Sequence, residues 1–257
     1  MAGLSVQLTK NPTVDAEVIV VDNGSVSPTP DALPTSIGTG MPLRFIWRSI
    51  EKQQFRPGSA RNIGIQAARG DFVLFLDGDC VPGPAHLREH LSELEASKGP
   101  VLTIGHRIFV DGRRLSPDEI RLRGCDLGHL PVIRSDSNYG LRHDRRLEEF
   151  RNFDRHPMPF NCCHGCNLGL RRKDALEIGM FDPVFDGYWG YEDIEFGHRM
   201  WAAGASLRYL SEAYVYHQEG DTGRRSDDRE RNFELACARI PGFKDFRDKQ
   251  GREYYRY

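Results

Sequence analysis

The stretch Phe72-Val73-Leu74-Phe75-Leu76-Asp77-Gly78-Asp79-Cys80, FVLFLDGDC, decides how this chain is read. Five consecutive apolar residues predict a short strand buried on both faces, of the kind found inside an α/β sheet. Side chains at i and i+2 of an extended chain project to the same side. Asp77 and Asp79 are therefore a carboxylate pair just past the end of a buried strand, where open α/β sheets bind ligands. Hard oxygen donors suit Mg²⁺ or Mn²⁺, which can bridge to a diphosphate, and Gly78 lets a sugar or phosphate come close. The Asp-x-Asp pattern alone is common, so the rest of the chain has to give it meaning.

Upstream, FRPGSARNIGIQAARG predicts a helix, with Ser59 as its N-cap and Gly70 at its C-terminal end. Arg61 falls in the first turn, where a guanidinium and a helix N-terminus both favour a diphosphate. Before it, Glu17 to Val21 (EVIVV) predicts another strand buried on both faces, ending in Asp22-Asn23-Gly24-Ser25. Asp22 either closes an Asx turn or accepts a hydrogen bond from a nucleobase. A Pro-rich loop over 26–42 and a strand from Leu43 to Trp47 follow. Strand, loop, strand, helix, strand predicts a parallel α/β sheet with crossover helices.

Downstream, a helix is expected over Pro84 to Ser97 and a strand over Val101 to Ile104. Residues 111–156 are dense in Arg, Asp and Glu, and read as a solvated insertion with short helices, or as a lid that contacts an acceptor. Asn167 to Leu170 predicts a strand and Lys173 to Ile178 a short helix. Next comes Tyr188-Trp189-Gly190-Tyr191-Glu192-Asp193, an aromatic-glycine loop running into adjacent acids that open a helix. Acids there often only complement the helix dipole. Beside aromatic faces that stack on sugar rings, a carboxylate can also take a proton from a hydroxyl. His217, in YVYHQEG, follows a strand and can complete a metal site with the carboxylates. Residues 221–257 read as a charged helical tail.

Composition excludes several classes. The 257 residues carry 35 Lys and Arg against 37 Asp and Glu, for a net charge of -2, so nucleic acid is not an expected partner. No apolar run approaches the roughly 18 residues that span a bilayer. The start, MAGLSVQLTKNP, lacks the basic and apolar regions of a secretory signal, which makes the cytosol the expected compartment. Six cysteines do not suggest a disulfide scaffold. Cys163 and Cys166 form a Cys-x-x-Cys around His164, but no second ligand pair is evident, so free thiols are expected rather than structural zinc.

EVIVVDNGS, ARNIGIQAARGDFVLFLDGDC and GCNLGLRRKDALEIGMFD together resemble family-2 glycosyltransferases of the GT-A fold. The segment through GYWGYEDIEFGHRMWAAGASLRYLSEAYVYH resembles the C-terminal galactosyltransferase-type region. The resemblance covers residues 15–110 and 160–219. It implies an α/β GT-A fold with a mostly parallel central sheet flanked by helices. It implies a nucleotide-sugar-binding half (1–110), a charged variable insertion (111–160), an acceptor-binding and catalytic half (161–219) and a helical tail (220–257). It also implies roles. Asp22 would contact the base, Arg61 the nucleotide or its phosphates, and Asp77 the ribose and metal. Asp79 and His217 would ligate Mn²⁺ or Mg²⁺, and Trp189 and Glu192 would hold the acceptor. Asp193 would deprotonate the acceptor hydroxyl. Inverting members carry Glu-Asp at these positions, whereas retaining polypeptide transferases carry Glu-Asn and an Asp-x-His. The implied reaction moves a sugar from a UDP-sugar to a saccharide, lipid-linked, peptide or natural-product acceptor, with inversion.

Peripheral membrane contact and self-association stay open in this reading. An inactive sugar- or partner-binding module and a nucleotidyltransferase are the competing readings, though the latter class opens with a Gly-rich phosphate loop that is absent here. The family also opens with a strand and a helix before EVIVVD. The first residues can supply most of that helix, but no first strand is visible, so an N-terminally shortened sheet is expected.

Overall fold

The computed structural model describes residues 1–24, 36–37, 41–47, 55–111, 115–130, 147–219 and 229–254. In chain order it holds helix α1 (Ala2–Lys10), strands β1 (Val18–Asp22), β2 (Ser36–Ile37) and β3 (Met41–Trp47), and helix α2 (Pro57–Ala67). Strands β4 (Phe72–Leu76) and β5 (Cys80–Pro82), helix α3 (His86–Ala96), and strands β6 (Val101–Ile104) and β7 (Arg107–Asp111) follow. Helices α4 (Pro117–Leu122) and α5 (Leu147–Arg151) precede strand β8 (Asn167–Arg171), and helices α6 (Arg172–Glu177) and α7 (Glu192–Ala202) follow it. The last elements are strands β9 (Ser206–Tyr209) and β10 (Val215–Glu219) and helices α8 (Arg229–Arg239) and α9 (Phe243–Tyr254).

The expected α/β fold is present, but the central sheet is mixed rather than mostly parallel. Its order is β4-β8-β6-β9. β8 runs antiparallel to both β4 and β6, and only β6 and β9 are parallel. The chain enters β8 from the opposite end, so the strand that fills the middle of the sheet reverses its direction. β1 and β3 form a separate parallel pair edged by β2, and β10 lies between β5 and β7.

The two apolar runs expected to be buried on both faces are not. In β1 only Asp22 is buried, and in β4 only Phe75. Among the described residues β1 pairs only with β3 and β4 only with β8, and no strand lies between them. A strand with one neighbour keeps an open edge, and its side chains stay partly in water. All four residues of β6 are buried, because β8 and β9 flank it. The expected N-terminal helix is there as α1, packed against α4 and β5.

Other boundaries shift for local reasons. α2 begins at Pro57, whose fixed φ suits the first helical turn, so Ser59 is inside the helix and not its cap. The Ser59 hydroxyl instead donates to Asp186 Oδ2 at 2.5 Å. The helix ends with Ala68 extended, ahead of Gly70. His217 sits within β10 instead of after a strand.

The described parts of 111–156 are largely exposed and hold the expected short helices α4 and α5, but a few residues anchor them to the cores. Ile120, Cys125 and Leu127 pack with Ala2, Val81, Val110 and Tyr216 in a second apolar core. Phe150 and Phe153 join the main core with Leu168, Leu170, Phe181 and Phe196. Much of the arginine density, including Arg113, Arg114, Arg134, Arg142, Arg145 and Arg146, lies outside the described residues. So does most of the expected loop over 26–42. No described helix is long and apolar enough to cross a membrane.

One buried polar network pins the central sheet. Asn167 on β8 donates from Nδ2 to the carbonyls of His106 and Ala213. Its Oδ1 faces His86 Nε2 at 3.0 Å and His90 Nε2 at 2.9 Å, and His90 Nδ1 meets Thr103 Oγ1 at 2.7 Å. The two rings lie one turn apart on α3 and face the sheet, so helix and strands are fixed by directional bonds as well as by packing.

Candidate active site

β4 ends at Leu76, and Gly78 and Asp79 form a turn closed by a hydrogen bond from Cys80 N–H to the Asp77 carbonyl at 3.0 Å. The Gln218 N–H donates to the Asp79 carbonyl at 2.9 Å, which ties this turn to β10. The β5–β10 register pairs His217 with Cys80. Together these place His217 Nε2 3.6 Å from Asp79 Oδ2, although the residues are far apart in sequence. The Asp79 side chain is 53% exposed, and a Cβ on Gly78 would meet nothing within 4 Å. A carboxylate and an imidazole at this separation, on an open rim, suit a divalent cation such as Mn²⁺ or Mg²⁺. Donor atoms of Asp79, Cys80 and His217 all lie within 4.8 Å of one another. The neighbouring Cys166 thiol and burial both raise the Cys80 pKa.

Arg61 joins this rim to the aromatic-glycine segment. Its Nη2 donates to Asp77 Oδ1 at 3.0 Å and its Nη1 to Glu192 Oε1 at 3.0 Å. The guanidinium is largely buried, over the Phe181 ring and against Gly165. Burial disfavours its charge, but the carboxylates of Asp77, Glu192 and Asp193 outweigh that cost and raise its pKa. Arg61 thus spans two carboxylates instead of standing open to solvent. A side chain at Gly165 would overlap the guanidinium, which explains the glycine in GCN.

Glu192 and Asp193 open α7 and diverge. Glu192 is buried, and burial followed by the Asp193 charge pushes it up to about 7 against the pull of Arg61. Asp193 is only partly buried. Its Oδ2 accepts the Gly165 N–H at 3.0 Å and its Oδ1 the Ile194 N–H at 2.9 Å, so its orientation is fixed. Of the two acids, Asp193 is the one open to an approaching hydroxyl. Trp189 and Tyr188 are 39% and 38% exposed, on a loop bent by positive φ at Gly187, Gly190 and Tyr191. Asp22 ends β1, buried, with Oδ1 accepting the Gly24 N–H at 3.1 Å in the expected Asx turn.

The structure therefore brings Asp77, Asp79, His217, Arg61, Glu192 and Asp193 into one linked set. Cys163 and Cys166 are buried, in no disulfide, and join no metal-ligand cluster among the described residues. A different cluster, Glu149, His156 and Cys162, does converge. There the Met158 N–H donates to His156 Nδ1, leaving the ring proton on Nε2, 3.1 Å from Glu149 Oε2. The same oxygen accepts from Asn161 Nδ2 at 2.8 Å. A ligating imidazole would instead use its second nitrogen as a donor, so this cluster is a hydrogen-bonded carboxylate. Sequence reading missed Gly165 and Asn232. The first is signalled only by its place between cysteines, and the second by nothing local.

The fold and site define a protein of the GT-A class. Residues 5–179 match glycosyl transferase family 2, and the chain belongs to that family. Residues 145–220 match the N-terminal domain of galactosyltransferase. The chain is 28% identical over 225 residues to a hyaluronan synthase of Pasteurella multocida, covering 83% of this chain and 22% of that protein. It is 32% identical over 183 residues to a chondroitin synthase of Pasteurella multocida (strain Pm70), covering 67% of this chain and 18% of that protein. It thus spans only about a fifth of either relative's length. Among solved structures it resembles GalNAc-T7 with UDP, GalNAc and Mn²⁺, at TM-score 0.58 and 16% identity, covering 90% of this chain and 44% of that one.

Proposed function

We propose that this chain is an inverting, divalent-metal-dependent glycosyltransferase that moves a sugar from a UDP-sugar to an acceptor hydroxyl. The observation that carries the reading is the Arg61 bridge. One guanidinium holds Asp77 of the Asp-Gly-Asp turn and Glu192 of the Glu-Asp pair. One side chain therefore bridges the donor motif and the residue next to the candidate base, Asp193. Family membership supports the activity, and the UDP and Mn²⁺ bound by GalNAc-T7 support the donor and metal.

In this reading Asp79 and His217 hold the cation, which supplies Lewis-acid stabilisation of the departing diphosphate when bound. Asp22 contacts the base, and Asp77, steadied by Arg61, faces the ribose. Asp193 accepts the proton of the acceptor hydroxyl as its oxygen bonds to the anomeric carbon, while the bond from that carbon to the diphosphate breaks. We assign buried Glu192 a supporting role in place of the acceptor contact that the resemblance implies. It holds Arg61 and sets the charge around Asp193. Trp189 offers an aromatic face to the acceptor. A saccharide is the leading acceptor class, with lipid-linked and peptide acceptors as alternatives.

Two measurements test this. Thermal denaturation with UDP, GDP, CDP or TDP, each with and without Mn²⁺, should give a metal-dependent shift with UDP. Ligand at 100 times its dissociation constant stabilises the fold by about 2.7 kcal/mol. Asp79→Ala should abolish the shift. Asp193→Asn should keep it and lower kcat by roughly 10²–10⁴. Full turnover in Asp193→Asn would remove Asp193 as the base. No shift with any nucleotide would favour a binding module over an enzyme.

A further inference from the structure

Asn232 is the fourth residue of α8, a helix crowded with charged side chains, yet it is fully buried. Its Nδ2 donates to three carbonyls of the aromatic-glycine loop: Phe185 at 3.0 Å, Tyr188 at 3.2 Å and Gly190 at 3.0 Å. Its Oδ1 accepts from Arg231 Nη1 at 3.1 Å. An amide nitrogen carries two hydrogens, so three carbonyls share them. Aspartate here would set a carboxylate oxygen against those carbonyls, and leucine would leave them without this donor. A buried amide that served only its own helix would bond within it, whereas every Asn232 donor bond goes to a loop more than 40 residues away in sequence.

That loop needs holding. φ is positive at Gly187, Gly190 and Tyr191, and a bulky residue such as Tyr191 keeps that conformation only where its surroundings impose it. The next residue of α8 adds to the grip, since the Tyr191 ring lies 5.6 Å from Phe233 and 6.2 Å from Phe243 between ring centres. The segment leading into α2 holds the loop as well: the Gly187 N–H donates to the Phe55 carbonyl at 2.8 Å, and Ser59 bonds Asp186. With three of the loop's carbonyls gathered on Asn232, Tyr188 and Trp189 remain exposed, and α7 opens at Glu192 and Asp193 two residues after Gly190. The donor side is built separately. Asp79 and His217 are fixed by the pairing of β5 with β10 and by the Gln218 N–H, and none of those bonds involves the loop.

We propose that Asn232 is a positioning residue for the acceptor subsite. By gathering the carbonyls of Phe185, Tyr188 and Gly190, it sets the loop that presents Trp189 and starts α7 at Asp193. It therefore governs acceptor binding and leaves donor binding untouched. This rests on the transferase reading above and adds to it a residue from the tail, remote from both sequence motifs.

The test uses the full chain with Trp47→Phe and Trp201→Phe, which leave Trp189 as the only tryptophan. Two probes, a uronate-terminated and a hexosamine-terminated tetrasaccharide, are titrated with and without UDP and Mn²⁺ and followed by Trp189 fluorescence. In Asn232→Leu the better probe should bind about tenfold more weakly, the size of one lost good contact, and the UDP and Mn²⁺ thermal shift should stay. Asn232→Gln, which keeps the donor on a longer arm, should recover part of the affinity. Ile240→Ala, a core change just past the end of α8, should lower Tm and leave probe affinity unchanged. If Asn232→Leu does not fold, Asn232→Ser carries the same prediction in smaller measure. Unchanged probe affinity in the Asn232 variants, or binding of neither probe by the parent, would overturn the proposal. So would an equal loss in Ile240→Ala, or probe affinity and nucleotide shift falling together, since either makes Asn232 a plain anchor for α8. Absence of the UDP shift in the parent, with the Asn232 effect intact, sinks the transferase reading instead and leaves Asn232 shaping a saccharide site.

Discussion

Strands β1 and β8 reverse what their sequences suggest. β1 reads VIVVD, almost wholly apolar, yet four of its five residues are only half-buried. β8 reads NLGLR, with a polar start and a glycine, yet its first four residues are buried. β8 has a partner on each side and α3 and α6 packed near it, whereas β1 pairs only with β3 among the described residues. Burial here follows the number of neighbours and not hydrophobicity. The polar residue of β8 is what makes that burial specific, because Asn167 meets four partners that apolar packing would leave unsatisfied.

The contrast can be broken at four points. The largest effect is expected in the β8 core. Phe181, fully buried between Phe75 and Phe196, should cost about 3–5 kcal/mol on Phe181→Ala, while Val20→Ala in β1 should cost only about 1 kcal/mol. Paired urea denaturation curves check this, and equal losses would contradict it. Next comes Arg61→Met, which strands the buried Glu192 carboxylate and should cost on the order of 3 kcal/mol. Glu192→Gln combined with it should recover much of the loss in a double-mutant cycle.

The third effect is on pH dependence, and its sign differs between the regions. Burial holds His90 down at about 4, and His86 well below its usual value for the same reason. The unfolded chain takes up protons near 6.5 while the folded His90 does not. Its contribution is therefore complete above that pH and is lost towards pH 4, by about 1.4 kcal/mol per unit. Glu192 is raised to about 7, so its contribution is present at low pH and fades as pH rises through 7. Stability measured from pH 4 to 8 should lose a rise with pH between about 4 and 6.5 in His90→Gln and an opposing fall with pH between about 4.5 and 7 in Glu192→Gln. If neither slope moves, the network and the bridge do not titrate as described. The smallest effect is local opening. Amides of β1 should exchange at least about fivefold faster than those of β8, the consequence of a difference of about 1 kcal/mol. Equal protection would mean that the open edge of β1 is covered in solution.

Much of the site was legible because its signals are local. Asp77 and Asp79 follow an apolar run, Glu192 and Asp193 open a periodic helix, and each motif is readable within ten residues. The bridge role of Arg61 was not legible. Sequence places a guanidinium near a helix N-terminus but cannot show that two carboxylates from distant segments converge on it. The anchoring of the insertion was not legible because arginines dominate its composition, while the anchoring residues, Ile120, Leu127, Phe150 and Phe153, are spread too thinly to form a pattern.

By itself, the sequence determined the fold class, the order of most elements, the Asp-Gly-Asp turn, the Glu-Asp pair and the family. These depend on period, turn chemistry and short-range spacing, which the chain carries locally. Tertiary structure decided the mixed direction of the sheet and the half-burial of β1 and β4. It also decided the meeting of Asp79 with His217, the burial of Glu192 beside part-buried Asp193, and the grip of α8 on the aromatic loop. Each of these depends on which distant segments become neighbours, and that choice is made by the packing of the whole chain, not by any window within it.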